Sequence, residues 1–129
     1  MSSPVQIALV AGAVLGGTGV ALGALGAHAL KKVLVPERLA AFDTATKYQL
    51  FHALLLLVVG LWLRAELPVN APWLVRSVWL ILVGCVCFSG SIYGLCFTEF
   101  RWLGPVTPLG GTLLIGGWVC LMIHAWHSR

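Results

Sequence analysis

Between Val5 and Leu30 the chain contains no Asp, Glu, Lys or Arg. A stretch of about 26 residues makes about 39 Å of helix at ~1.5 Å per residue, enough to cross a bilayer with some tilt. Without water in the hydrocarbon, a helix is one of the few folds that satisfies its own backbone. A secretory signal is the rival reading, since Ala27-His28-Ala29 has the small-x-small form of a cleavage site. The segment lacks a basic lead, however, and overruns the usual apolar core of about 7–15 residues, so a retained helix is expected.

The remainder of the chain repeats the pattern. Of 129 residues, 60% are hydrophobic and 9% charged, and the mean hydropathy of +0.97 leaves too little charge to cover a water-facing surface. Lys31 and Lys32 end the first segment, and Pro36 with Glu37 suits the first turn of a second helix. Leu39 and Phe42 set against Arg38, Asp43 and Lys47 form an amphipathic lead-in over about 37–46. The uninterrupted apolar run, Leu50 to Leu63, is too short alone, so the span must take in Lys47, Tyr48 and Gln49, or Arg64 to Leu67. A polar, proline-broken turn follows at Arg64, Glu66, Pro68, Asn70 and Pro72. A third helix is expected from Trp73 to Phe97, with Arg76 in its first turn. After Gly104 and Pro105, Thr107-Pro108 reads as an N-cap and first helical residue, opening a fourth helix that reaches Trp126. The expected architecture is an all-α, integral membrane four-helix bundle forming one domain over 1–129, with spans at about 5–30, 46–64, 73–97 and 108–126.

Charge placement bears on topology and partners. The net charge of +4 comes from scattered basic residues at the ends of apolar segments, not from a clustered face, which excludes nucleic acid as the expected partner. Lys31, Lys32, Arg38, Lys47 and Arg101 fall on one side, and Arg64, Arg76 and Arg129 on the other. The positive-inside rule then puts the first and third loops in the cytoplasm and both termini outside. Trp62, Trp73 and Trp126 fall at one interface, as four antiparallel crossings require. Cys85, Cys87, Cys96 and Cys120 lie within apolar runs without CxxC spacing and read as small hydrophobes, not as a disulfide or zinc framework.

Small residues mark packing surfaces. Gly12, Gly16, Gly19, Gly23 and Gly26 make one seam on helix 1, and Gly90 with Gly94 a second pair on helix 3. Gly110, Gly111, Gly116 and Gly117 crowd helix 4. Such seams let backbones approach where lipid offers little hydrophobic force between helices. Packing within the chain is the favoured use, and the remaining outer surface could serve a homo-oligomer or a larger membrane complex.

The most informative polar group comprises His28, Asp43, Lys47, Tyr48, Gln49 and His52, assigned to one side of the membrane. Asp43 and Lys47, like Tyr48 and His52, are i,i+4 pairs able to meet on a helix face. The favoured reading is a hydrogen-bonded clamp between helices 1 and 2. An alternative has His28 and His52 facing each other to ligate haem or line a lipid or quinone pocket. A small channel or transporter is a third, disfavoured because helices 1, 3 and 4 carry no charge at their centres. Ser89 and Ser91 have no nearby acid in sequence and read as backbone-bonding residues. No catalytic residue, metal or cofactor is expected, and lipid is the expected surroundings.

Four stretches carry a resemblance: Gly23-Ala24-Leu25-Gly26-Ala27-His28-Ala29-Leu30; Phe42 to Gln49 running into His52-Ala53-Leu54; Phe88-Ser89-Gly90-Ser91-Ile92-Tyr93; and Thr107-Pro108-Leu109-Gly110-Gly111 with Gly117-Trp118. In this order they resemble the YgdD-like family of small bacterial inner-membrane proteins, which has short eukaryotic relatives. The resemblance implies a four-helix membrane protein and carries over no activity or catalytic residue. Glu99-Phe100-Arg101-Trp102 departs from it as an insert in the third loop. With abundant small-residue surface and no mid-membrane ionisable pair, the expected role is a non-enzymatic accessory or interaction protein of the bacterial inner membrane.

Overall fold

A computed structural model describes residues 3–67 and 70–128. Pro68, assigned to the second turn, and Arg129, assigned to the basic count, lie outside the described residues. Four helices, α1 (Pro4–Ala27), α2 (Pro36–Glu66), α3 (Pro72–Phe97) and α4 (Val106–His127), are each long and apolar enough to cross a membrane. Short 3₁₀ turns at Ala29–Lys32 and Arg101–Leu103 follow α1 and precede α4. Proline opens α1, α2 and α3, where its missing N–H leaves no helical bond unmade. Ser3 adds an N-cap, its Oγ accepting from the Gln6 N–H at 3.2 Å.

Two sequence expectations change here. The lead-in and second span form one continuous helix of 31 residues, and Phe42, Ala45 and Thr46 are buried within the bundle. The amphipathic segment therefore belongs to the packed crossing. At α4 the helix begins before Thr107, with Pro105 in the cap position. Thr107 Oγ1 instead lies 2.6 Å from Ser91 Oγ on α3, tying the start of α4 to its neighbour.

The glycine seam of α1 is spent inside the chain. A Cβ on Gly12 would meet the Ala53 carbonyl oxygen at 2.9 Å, one on Gly19 the Leu50 side chain at 2.8 Å, and one on Gly26 the Phe42 ring at 3.1 Å. Gly16 and Gly23 sit beside the same surface at ordinary contact distance. The pairings run in opposite order along the two helices, so α1 and α2 are antiparallel neighbours. The Gly90–Gly94 pair plays no such part: Gly90 faces open space, and Gly94 is covered by Leu103 of the third loop. The close α3–α4 crossing uses Gly84, Gly110 and Gly117, where added Cβ atoms would overlap the Leu114, Phe88 and Ile81 positions respectively. A wider spacing than four residues hid that seam.

Consecutive helices pack against one another, and α1 also touches α3. No backbone approach links α4 to α1 or α2 among the described residues. The result is a curved row: α2 and α3 hold Leu56, Val59, Leu74, Val78 and Ile81 in the main core, with Ala8 of α1 against them. Side chains alone join α2 to α4, leaving an apolar cleft of about 360 Å³ between them, with Leu55, Trp62, Trp118 and Met122 in its walls.

Candidate functional site

Gln49 is the best-connected polar side chain inside the bundle. It is 4% exposed, and its Nε2 donates to the Leu15 carbonyl and to Thr18 Oγ1 on α1, each at 2.9 Å. From α3, Tyr93 OH donates to Gln49 Oε1 at 2.7 Å and lies 3.4 Å from Thr46 Oγ1. One amide thus joins three helices with donors and acceptor all engaged. Ser89 Oγ adds a second tie, donating to the Ala45 carbonyl across α2 and α3 at 2.7 Å. These are backbone-bonding roles of the kind that serine spacing suggests, and leaving such groups unpaired in lipid would be costly.

His52 lies elsewhere from where the sequence reading put it. Gly16, midway along α1, faces Ala53, so the neighbouring His52 sits near half-height in the bundle and not at its edge. Its Nδ1 is 2.7 Å from the Tyr48 carbonyl, and its Nε2 lies 3.3 Å from Trp118 Nε1 on α4. Both contacts fit one tautomer: the proton on Nδ1, and Nε2 accepting from the indole. At 6% exposure, the ring bridges α2 and α4 beside their cleft.

The remaining members of the predicted group separate. His28 is exposed at the end of α1, level with Phe42, the partner of Gly26. Ten residues of α2, about 15 Å, divide that level from His52, so the two histidines do not face each other. Asp43 and Lys47 form an exposed ion pair at 2.7 Å. Tyr48 is half-exposed, its ring 4.7 Å from that of Phe88. The group spreads because α2 buries Phe42, Ala45, Thr46, Gln49 and His52 while turning Asp43 and Lys47 outward.

Three groups escaped the sequence reading. Thr18 and Tyr93 complete the Gln49 network; Thr18 is isolated in the apolar stretch of α1, a signal that could have flagged it, and Tyr93 follows Ser89 and Ser91 along α3. At the far end of the bundle, Trp62 Nε1 donates to Glu66 Oε1 at 3.2 Å, and His124 Nε2 approaches the same oxygen at 3.5 Å. The Trp62 and His124 rings meet edge-on at 5.0 Å. Arg38 pairs with Glu99 of the loop insert and donates to the Cys96 carbonyl, while Cys96 Sγ donates back to the Arg38 carbonyl at 3.3 Å. The insert thus has a use, closing α2 onto the end of α3. No cluster of three metal-ligating side chains occurs among the described residues.

The family of proteins of unknown function termed DUF423 matches residues 22–111, more than half the chain and including Gln49, His52 and Tyr93. The chain belongs to the DUF423 family. Similar relatives include UPF0382 membrane proteins of Staphylococcus epidermidis, 40% identical over 92% of this chain and 93% of the relative, and Staphylococcus saprophyticus, 38% identical over 92% and 95%. A third, from Staphylococcus aureus, is 37% identical over 92% and 93%. No solved structure matches. The DUF423 assignment bears out the resemblance to small four-helix membrane proteins and agrees with the helical fold.

Proposed function

We propose that this membrane protein is a non-enzymatic accessory protein of the bacterial inner membrane, associating with a second copy or a larger membrane complex through the outer face of α1. The observation that carries the reading is a second small-residue surface on that helix. With the glycine seam turned inward, Ala13, Gly17, Ala21 and Ala24 lie exposed on the other side, and nothing stands within 4 Å of a Cβ placed on Gly17. Small residues at that spacing admit a partner backbone, which is what association in lipid requires. The non-enzymatic part is supported by how the interior polar groups are used: Gln49, Tyr93, Ser89 and His52 engage one another, Trp118 or backbone carbonyls.

The haem and quinone alternatives have less support, because both His52 ring nitrogens are engaged and His28 lies one-third of the bundle away. For orientation, we propose both termini outside the cytoplasm, on the basic excess of the first and third loops.

Gentle purification from native membranes is expected to recover a defined oligomer or a stoichiometric companion. Gly17→Leu and Ala21→Leu, which fill the outer face without touching α2, are expected to dissociate it while leaving the helical signal unchanged. Recovery of a monodisperse monomer without companions would sink this reading.

A further inference from the structure

The loop insert Glu99-Phe100-Arg101-Trp102 carries two largely exposed aromatic rings, Phe100 at 56% and Trp102 at 67%. Their centroids stand 6.2 Å apart with planes 27° from parallel, so they present one stacked surface. Apolar surface gathered in this way marks a place where the neighbour is something other than water. The loop does not stand off from the bundle. Leu103 covers Gly94, where an added Cβ would meet its Cδ1 at 2.6 Å, and Gly94 lies one turn inside the end of α3. The 3₁₀ turn closes through Leu103 N–H to the Phe100 carbonyl and Gly104 N–H to the Arg101 carbonyl, each at 3.1 Å, while Arg38 holds Glu99. Trp102, next to Leu103 in the chain, is therefore held about one turn from the end of a membrane span, the depth of the headgroups. Phe97, the last residue of α3, is half-exposed as well, so the aromatic surface begins on the span and continues into the loop.

The distribution of tryptophan fits the same neighbour. Trp62, Trp73 and Trp126 mark the opposite end of the bundle, Trp79 and Trp118 lie within the spans, and Trp102 is the tryptophan of this end. Indole rings collect at both membrane interfaces, where one side is apolar and the other wet. The charge of the insert agrees with that setting. The Glu99 carboxylate is taken by Arg38, and Arg101 stands exposed between the two rings, its stem apolar and its guanidinium able to reach a lipid phosphate. We propose that Phe100 and Trp102 form a membrane-interface anchor: the stacked rings lie in the headgroup layer and set how deep the α3–α4 end of the bundle sits. The contact is with the lipid surface, whichever end faces the cytoplasm, and it stands independently of what the outer face of α1 binds.

The test uses the full chain labelled with fluorotryptophan in phospholipid nanodiscs, where the fluorine resonance missing from Trp102→Phe reports Trp102. Two relaxation agents are compared: a phospholipid spin-labelled near the top of its acyl chain, and a water-soluble gadolinium chelate. The Trp102 resonance is expected to broaden more with the lipid label than with the chelate. Phe100→Asp, which replaces one exposed ring by a carboxylate, should reverse that order by drawing the loop into water. Stronger broadening by the chelate in the unmodified chain overturns the proposal and leaves the rings as a surface for a soluble protein. An unchanged order in Phe100→Asp overturns it as well, because the depth of Trp102 is then fixed by the α3–α4 connection and not by the rings' own affinity for the interface.

Discussion

Gln49 shows how a single side chain can set the relative positions of three helices in a solvent that offers no hydrogen bonds. Its amide nitrogen reaches a backbone carbonyl and a hydroxyl on α1, while its oxygen accepts from Tyr93 on α3. Interhelical hydrogen bonds in membrane proteins contribute on average ~0.6 kcal/mol each, because the unfolded chain also finds partners in the membrane. Gln49→Leu, which removes all three contacts and leaves the Tyr93 hydroxyl only its longer 3.4 Å contact with Thr46 Oγ1, is therefore expected to cost about 1–2 kcal/mol. Reversible unfolding in mixed micelles would measure it. A double-mutant cycle with Tyr93→Phe should give a coupling of about 0.5 kcal/mol or more, since the two groups share a 2.7 Å contact. Additive losses would show that Tyr93 finds another acceptor when Gln49 is absent. Gln49 itself was visible in the sequence as a polar residue next to a long apolar run; its partners were not. Thr18 and Tyr93 are 31 and 44 residues away along the chain, and only the packed helices bring them to it.

At the scale of elements, close approach of backbones decides which glycines matter. At the α3–α4 crossing a methyl group on Gly110 would overlap the backbone nitrogen and Cα of Phe88, neither of which can move without shifting a helix. Gly110→Ala is expected to destabilise the protein by about 1–3 kcal/mol, the usual cost of overpacking. Gly90→Ala, with nothing within 4 Å, should be neutral or slightly stabilising because alanine is the better helix former. Thermal unfolding of the two variants side by side would separate them, and equal midpoints would refute the crossing. The existence and order of the four helices were legible from apolar length and from prolines at Pro36 and Pro72. The seam of α1 was legible too, because its period of three and four matches one helix face. Which glycines join α3 to α4 was not: Gly84 lies six residues before Gly90, outside the four-residue spacing of the Gly90–Gly94 pair, and only its position opposite Gly110 and Leu114 gives it meaning. The start of α4 was misplaced for a related reason. Thr107 has the chemistry of a cap, but Ser91 across the interface takes its hydroxyl.

The whole molecule is asymmetric end to end. One end carries the Arg38–Glu99 pair, the Asp43–Lys47 pair, and Lys31 and Lys32, which form no ion pair among the described residues; the other carries Glu66 between Trp62 and His124, with Arg76 4.6 Å over the Trp73 ring. Because orientation follows basic residues in and near the loops, the proposed topology rests on Lys31, Lys32 and Arg101, with Arg38 and Lys47 on the same half of the bundle, against Arg64, Arg76 and Arg129. Reporter fusions at the two termini should both read outside the cytoplasm. The bias is five against three, so it can be removed by two exposed changes that leave the packed faces untouched. Lys32→Glu together with Asn70→Lys makes the count four against four. The same fusions are then expected to report a mixed population, with reporter signal from both sides of the membrane. A doubly substituted chain that keeps a single orientation would show that loop charge does not set its topology. The determinant would then have to lie in the order in which helices insert, with the long uncharged α1 leading.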